Sequence, residues 1–239
     1  MLITTDAIVL SKLKYRDNDL IVKCYTQQLG IVSFLLKGVL KSKKGHSKVA
    51  YFQLLSQLQL VVVHKSNRSL QAIKETKLNH IYTSVHSNVL KSSIVMFLSE
   101  VLSNTLKEEE KNETLYSYIE TTLLWLDTHS EYSNFHLLFL LNLTKYLGFY
   151  PDIKNIDYPF FNLIEGKFEA KSQHRYTISG ENLTLLKQLL GTTFDALSSI
   201  EISAKKRQSF LSMILLYFEL HLGSFKTPKS LQIFNQVFN

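Results

Sequence analysis

Residues 19 to 38 read DLIVKCYTQQLGIVSFLLKG. DLIVKCYT (19–26) is a strand-length apolar run between polar ends, and GIVSFLLKG (30–38) sets Val32, Phe34 and Leu36 on one face. A side-chain period of two marks a half-buried strand. Working outward, ITTDAIVLS (3–11) precedes these runs, and SQLQLVVVH (56–64) alternates Leu58, Leu60 and Val62 against Gln57, Gln59 and Val61. SLQAIKETKL (69–78) follows a polar break, KSNR, that suits a hairpin turn. Five short strands within the first 80 residues predict a small closed β-barrel.

Charge singles out the same region. The 239-residue chain carries a formal net charge of +7. Residues 1–80 hold 13 Lys and Arg against 4 Asp and Glu, a net +9, while residues 81–239 carry a net −2. A one-sided balance of this kind points to a polyanionic partner for the basic part. Its plain alternative is that the cations keep a small β domain soluble and monomeric. A five-stranded barrel with a basic, loop-rich face resembles an OB-fold.

From about residue 83 the period changes to that of helices. Tyr82–Lys107 lacks Gly and Pro and reads as a helix, with the acidic run 108–110 at or after its end. A second helix follows Asn112 as cap candidate, a third spans 135–147 after Ser133 or Asn134, and others start near Ser179, Ile202 and Thr227. Residues 152–179 break the pattern, with a hairpin expected around GKFEA and RYTIS. The expected fold is α+β in two parts: a five-stranded OB-fold barrel over residues 1–80, then a mainly helical domain over 81–239 with an irregular or β insertion at about 152–179.

Several function classes lose their support. No phosphate loop, dinucleotide fingerprint or nucleophile elbow occurs. Cys24, the one cysteine, sits in an apolar strand and reads as a small buried hydrophobe. One cysteine excludes a disulfide framework within the chain and a cysteine-rich zinc site. The eight histidines form no HxxxH or HExxH pair. No enzyme activity, cofactor or metal is expected. The start, MLITTDAIVLSKLK, carries Asp6 and lacks a long apolar core, so no signal peptide is expected. FHLLFLLNLTKYLGF (135–149) is too short and too polar for a membrane span. A cytoplasmic, nucleoid-associated protein is expected.

Binding a nucleic-acid backbone requires cations on segments that let phosphates approach. KGVLKSKKGHSK (37–48) offers Lys37, Lys41, Lys43, Lys44 and Lys48; SKLKYRDND offers Lys12, Lys14 and Arg16 in the first inter-strand turn; Lys65 and Arg68 lie in another turn. Tyr15 and Tyr51 are the candidates for stacking on bases, whereas Phe34 and Phe52 read as core.

These residues resemble the start of the bacterial RecO family of recombination mediators. The resemblance rests on Tyr15-Arg16-Asp17-Asn18-Asp19, on Thr26 to Gly30, and on Lys37-Gly38 with Lys41-Ser42. YLGFYPDI (146–153) and LLYFELHLGSFKTPKSLQIF (215–234) extend it over nearly the whole chain. It implies an OB-fold and a helical domain, binding of single- and double-stranded DNA, strand annealing, and recombinase loading in the RecF-type pathway. Implied partners are RecR and the acidic C-terminal tail of single-strand-binding protein, with no membrane.

One departure stands out. Many members carry two CxxC pairs in the insertion, and here it has no cysteine. Tyr158, Phe160, Phe161, Phe168 and Tyr176 are expected to hold it by packing. For the acidic peptide partner, Lys145, Lys187, Lys205, Lys206 and Arg207 are rim candidates, against the reading of ordinary surface charge. The alternative function is a helical protein-interaction adaptor that does not bind DNA directly.

Overall fold

The first strand, β1 (Leu2–Tyr15), is long enough to serve two partners. Its first half pairs with β4 (Gln57–Val63) and its second with β2 (Asp19–Thr26). β3 (Gly30–Leu36) lies antiparallel to β2, and β5 (Leu70–Leu78) antiparallel to β4. A short parallel contact, Ser33 opposite Leu70 and Phe34 opposite Gln71, closes the barrel in the order β1-β2-β3-β5-β4. This computed structural model describes every residue except 42–44, 46–47, 107–110, 173 and 239. The acidic run 108–110 lies outside the described residues.

Alternation fills the barrel. Ala7, Val9, Val22, Cys24, Val32, Phe34, Leu58, Leu60 and Val62 point inward, joined by Phe52 from the β3–β4 connection. Each Val, Leu and Phe side chain among them stabilises the fold by about 1.5–3 kcal/mol relative to exposure. Burial also pushes the Cys24 thiol far above its ordinary range, so it is an inert core residue.

β1 outruns the expected end at Ser11. Val9 faces Cys24 but Ser11 faces Lys23, so Leu10 is an extra residue in the ladder. Such a bulge reverses the inside–outside parity of the residues after it. Strict alternation fails there, and that is why KLKY reads as a turn in the sequence. Lys12 and Lys14 lie on the strand, and of that cluster only Arg16 lies in the turn.

The chain divides into two compact units, Met1–Thr128 with Pro228–Ser230, and His129–Thr227 with Leu231–Asn239. In the first, α1 (Val89–Thr105) packs on β1 and is followed by α2 (Glu113–Thr128). Side chains on the outside of the barrel tie it to these helices. Lys23 Nζ donates to the Ser103 carbonyl at 3.3 Å, Tyr25 Oη to Asn112 at 3.0 Å and Gln57 Nε2 to Glu120 at 2.9 Å. Gln57 is buried although its place in the alternation is an outer one.

α1 starts later than its composition suggests because residues 83–85 are engaged elsewhere. The buried Asp127 carboxylate accepts the backbone N–H groups of Thr83, Ser84 and Val85 at 2.8–2.9 Å. Burial alone raises a carboxyl, but these donors hold Asp127 well below the usual carboxylate range. Asn112 caps α2 as expected, its Oδ1 accepting the Leu115 N–H at 2.9 Å. Glu100 on α1 accepts the N–H groups of Lys229 and Ser230 at 2.8 and 2.9 Å.

The second unit contains α3 (Phe135–Tyr146), a small sheet, α4 (Gly180–Leu189), a 3-10 turn at Leu197–Ser199, α5 (Ala204–His221) and α6 (Leu231–Val237). The sheet corrects the expected hairpin. β7 (Lys167–Glu169) and β8 (Thr177–Ile178) do not pair with each other; both flank β6 (Phe160–Asn162). Of the five aromatic residues expected to hold the insertion, Phe161 and Phe168 are buried edge to face at 4.9 Å. Tyr158 is 41% exposed, and Phe160 and Tyr176 are half-buried. Buried Asn162 supplies the rest: its Nδ2 donates to Glu169 and its Oδ1 accepts the N–H groups of Ile164 and Glu165. Among the described residues no helix is long and apolar enough to cross a membrane, and no three His, Cys, Asp or Glu side chains gather as a metal site.

Candidate nucleic-acid interface

β3 and β5 touch over two residue pairs and then diverge. The gap between them, bordered by the segment after β3, is a groove of about 740 Å³. Leu36, Val39, Phe52, Leu70 and Ile73 form its apolar surface, and Lys37, Lys48, Arg68, Lys74 and Lys77 supply exposed cations. Among the described residues, Glu75 is the single acid lining it. Tyr51, 39% exposed, also lines it. The sequence placed Lys37, Lys48, Arg68 and Tyr51 among the candidates; the structure brings those four together.

Two polar residues hold the cation-bearing segments: Gln71, which the sequence did not single out, and Asp19, which it marked only as part of a family motif. Buried Gln71 fastens the β4–β5 turn: its Oε1 accepts the Lys65 N–H at 2.8 Å, and its Nε2 donates to the carbonyls of Lys65 and Arg68 at 2.9 and 2.6 Å. Asp19 fastens the basic segment after β3, its Oδ1 accepting the Gly38 N–H at 2.8 Å. Gly38 has φ +65°, a backbone conformation for which glycine is the natural residue. The Leu40 N–H adds a bond to the Asn18 carbonyl at 3.1 Å. The β1–β2 turn and the KG segment are therefore one bonded corner.

Lys12, Lys14 and Arg16 stand at or beside that corner. Lys12 is opposite Val22 and Lys14 opposite Leu20, and directly opposed residues share a sheet face. Val22 and Leu20 face the core, so the Leu10 bulge turns both lysines to the concave side, beyond the packed interior. On that same side Leu20 is opposite Leu36, which lines the groove. Arg16 stands in the turn at φ +52° with its guanidinium 5.2 Å from the Tyr15 ring centroid. Lys65 and Lys41 are exposed beside the groove's bordering segments without lining it. Lys43 and Lys44 lie outside the described residues.

Lys74 and Lys77 were missed. Ile73 faces Val62 and Glu75 faces Val61, leaving Lys74 as the extra residue of a second bulge. The broken alternation in AIKETKL was the available signal.

The rim candidates of the second unit scatter. Lys206 and Arg207 line a cleft of about 560 Å³ that also carries Glu131 and Glu201. Lys206 pairs with Glu181 at 3.0 Å. Half-buried Arg207 is engaged by Asn134 Oδ1 at 3.1 Å and the Ile202 carbonyl at 3.0 Å. Lys205 is exposed. Lys145 lies 4.8 Å from the Tyr150 ring centroid, and Lys187 donates to the Tyr158 carbonyl at 3.0 Å.

A five-stranded barrel of this order, closed by a parallel β3–β5 contact, defines an OB-fold protein, here joined to helices and carrying a cationic groove at the barrel mouth. Two family models cover most of the chain: "Recombination protein O N terminal" matches residues 1–82 and "Recombination protein O C terminal" residues 86–231. The chain belongs to the RecO family of DNA repair proteins. It is 49% identical over 238 residues to the DNA repair protein RecO of Christiangramia forsetii, covering the whole of both chains. It is 44% identical to that of Flavobacterium johnsoniae and 34% to that of Bacteroides fragilis strain YCH46, again over the whole of both chains.

Proposed function

We propose that this chain is a non-enzymatic DNA-binding mediator of RecF-type recombination. It binds single- and double-stranded DNA at the barrel mouth, anneals complementary strands, and assists recombinase loading with RecR and single-strand-binding protein in the cytoplasm, at the nucleoid. Residues 1–80 serve as the DNA-binding module and residues 81–239 as the helical part that meets protein partners. The acidic tail of single-strand-binding protein is assigned to the helical part, with Lys145, Lys187, Lys205, Lys206 and Arg207 as candidates for its rim.

The observation that carries the reading is the convergence of Lys37, Lys48, Arg68, Lys74 and Lys77, from three separate chain segments, on one groove with a single acid among its described residues. Surface cations scattered for solubility have no reason to converge in this way. Tyr51 adds a face on which a base can stack.

The test is a titration of a single-stranded and a duplex oligonucleotide across salt concentration. Affinity is expected to fall steeply with salt, because each neutralised phosphate releases counterions. The triple variant Lys37→Glu, Lys48→Glu, Arg68→Glu should flatten the single-strand slope by about 2, near 0.7 for each lost contact. Salt-independent affinity, or an unchanged slope in the variant, rejects the groove as the site. Binding of an acidic peptide with no DNA binding would favour the adaptor reading instead.

A further inference from the structure

The groove has features that a phosphodiester chain does not use. β5 is bonded along one edge to β4 from Ala72 to Leu78. Its other edge meets β3 at Leu70 and Gln71 only. Among the described residues no backbone hydrogen bond reaches that edge beyond Gln71. The Asn79 N–H donates to the Gln57 carbonyl at 3.0 Å, which fixes the alternation of the ladder. Gln59 and Lys77 form the next mutually bonded pair, so Thr76 and Leu78 turn their own N–H and C=O groups to the open side. The open edge is roughly 20 Å long at about 3.3 Å per residue.

Open strand edges are usually covered, or blunted by charge. Lys74 and Lys77 blunt this one against a second copy of itself, since a like-charged strand is repelled. The same lysines favour a strand that carries acids. The floor beneath the edge is apolar, with Val39, Phe52 and Ile73. An extended polypeptide presents alternate side chains to two sides. One set can fill this floor while the other meets the cations, as its backbone pairs with Thr76 and Leu78.

We propose that the groove takes an extended segment of alternating acidic and aliphatic residues as an added strand on β5. Strand addition gives affinity through main-chain bonds and specificity through alternate side chains. The occupant and nucleic acid share the cations, so each excludes the other; this competition rests on the reading of the groove as the DNA site. A bound acidic segment holds the barrel mouth closed to DNA until DNA displaces it.

The experiment uses the full chain and three probes: a fluorescein-labelled peptide alternating Glu or Asp with Val or Ile, the same peptide N-methylated at alternate amides, and an oligothymidylate. Expected results are binding of the first peptide, its displacement by the oligothymidylate, and affinity about tenfold or more weaker for the methylated copy, which keeps charge and side chains but cannot pair at an edge. Hydrogen exchange at Thr76 and Leu78 should slow by about tenfold or more with the first peptide bound. Thr76→Pro, which removes an outward N–H, should weaken the peptide and leave oligothymidylate affinity within about twofold. Equal binding of the methylated copy reduces the effect to charge and overturns the proposal. Oligothymidylate binding without peptide binding also overturns it and leaves the DNA reading standing. Edge-dependent peptide binding without oligothymidylate binding keeps strand addition and rejects the DNA reading. Binding of neither rejects both.

Discussion

Gly166 shows how little room a single position can leave. It has φ +65°, and a Cβ built on it would lie 2.7 Å from Tyr217 Oη, which donates to the Phe149 carbonyl at 2.7 Å. Gly166→Ala is expected to cost roughly 1–3 kcal/mol, combining an unfavourable backbone region with a steric clash. In a Tyr217→Phe background the steric part should vanish, so the two changes should couple in a denaturant double-mutant cycle; strict additivity would refute the clash.

His136 is a second such position. It is fully buried edge to face against Phe234 at 4.8 Å, and neither ring nitrogen has a hydrogen-bond partner among the described residues. Burial, with Arg207 nearby, lowers its pKa to about 3. The folded ring is therefore neutral where the unfolded ring, near 6.5, takes a proton. The unfolded state binds more protons in that window, so stability falls as pH drops from about 6.5 towards 3, by up to about 1.4 kcal/mol per unit. His136→Leu should remove this slope from the pH dependence of the urea midpoint, and an unchanged slope would count against the account. The sequence made Phe34 and Phe52 readable as core by alternation, and Cys24 by its place in an apolar strand. It could not mark Gln71 or His136, nor the bond that Asp19 makes, because these roles depend on partners brought close only by the fold.

At the scale of elements, the register explains both what was legible and what was not. Five strands and their places in the chain followed from strand-length apolar and alternating runs. The two bulges, at Leu10 and Lys74, did not: an extra residue near Leu10 looks like the end of a strand in one dimension, and the one at Lys74 falls inside a run read as a single strand. Those two bulges re-aim Lys12, Lys14 and Lys74, so the sequence failed locally where the candidate site is built. α2, α3 and α4 begin where their cap candidates put them, whereas α1 begins late, since Thr83, Ser84 and Val85 serve Asp127. The corner between the β1–β2 turn and the KG segment gives a direct check. Asp19→Ala removes the acceptor for the Gly38 N–H. Exchange at that amide should quicken, and oligonucleotide affinity should fall by a few-fold through loss of order at Lys37, equivalent to about 1 kcal/mol. Asp19→Asn keeps an acceptor oxygen and should retain most of both; identical behaviour of the two variants would argue against the bond.

For the whole molecule, the uneven charge was the most informative global property, because net charge survives any error in assigning strands. It located the basic part without placing its groove. The insertion was harder to read. Its missing cysteines were plain, but the Asn162 bonds that join Phe161 and Phe168 in holding the small sheet were not. Stability with and without a strong zinc chelator should therefore be the same within about 0.5 kcal/mol, the usual scatter of a neutral change. A fall in the unfolding midpoint on chelation would show a metal contribution. The state of Cys24 has a practical consequence. It is the one thiol in the chain, and it is sealed inside the barrel. A cysteine introduced at Tyr51 or Lys77 would be the sole accessible target for a maleimide dye on the native background. Occupancy of the groove could then be followed by fluorescence, one molecule at a time, with no residue first removed to make the chain blank.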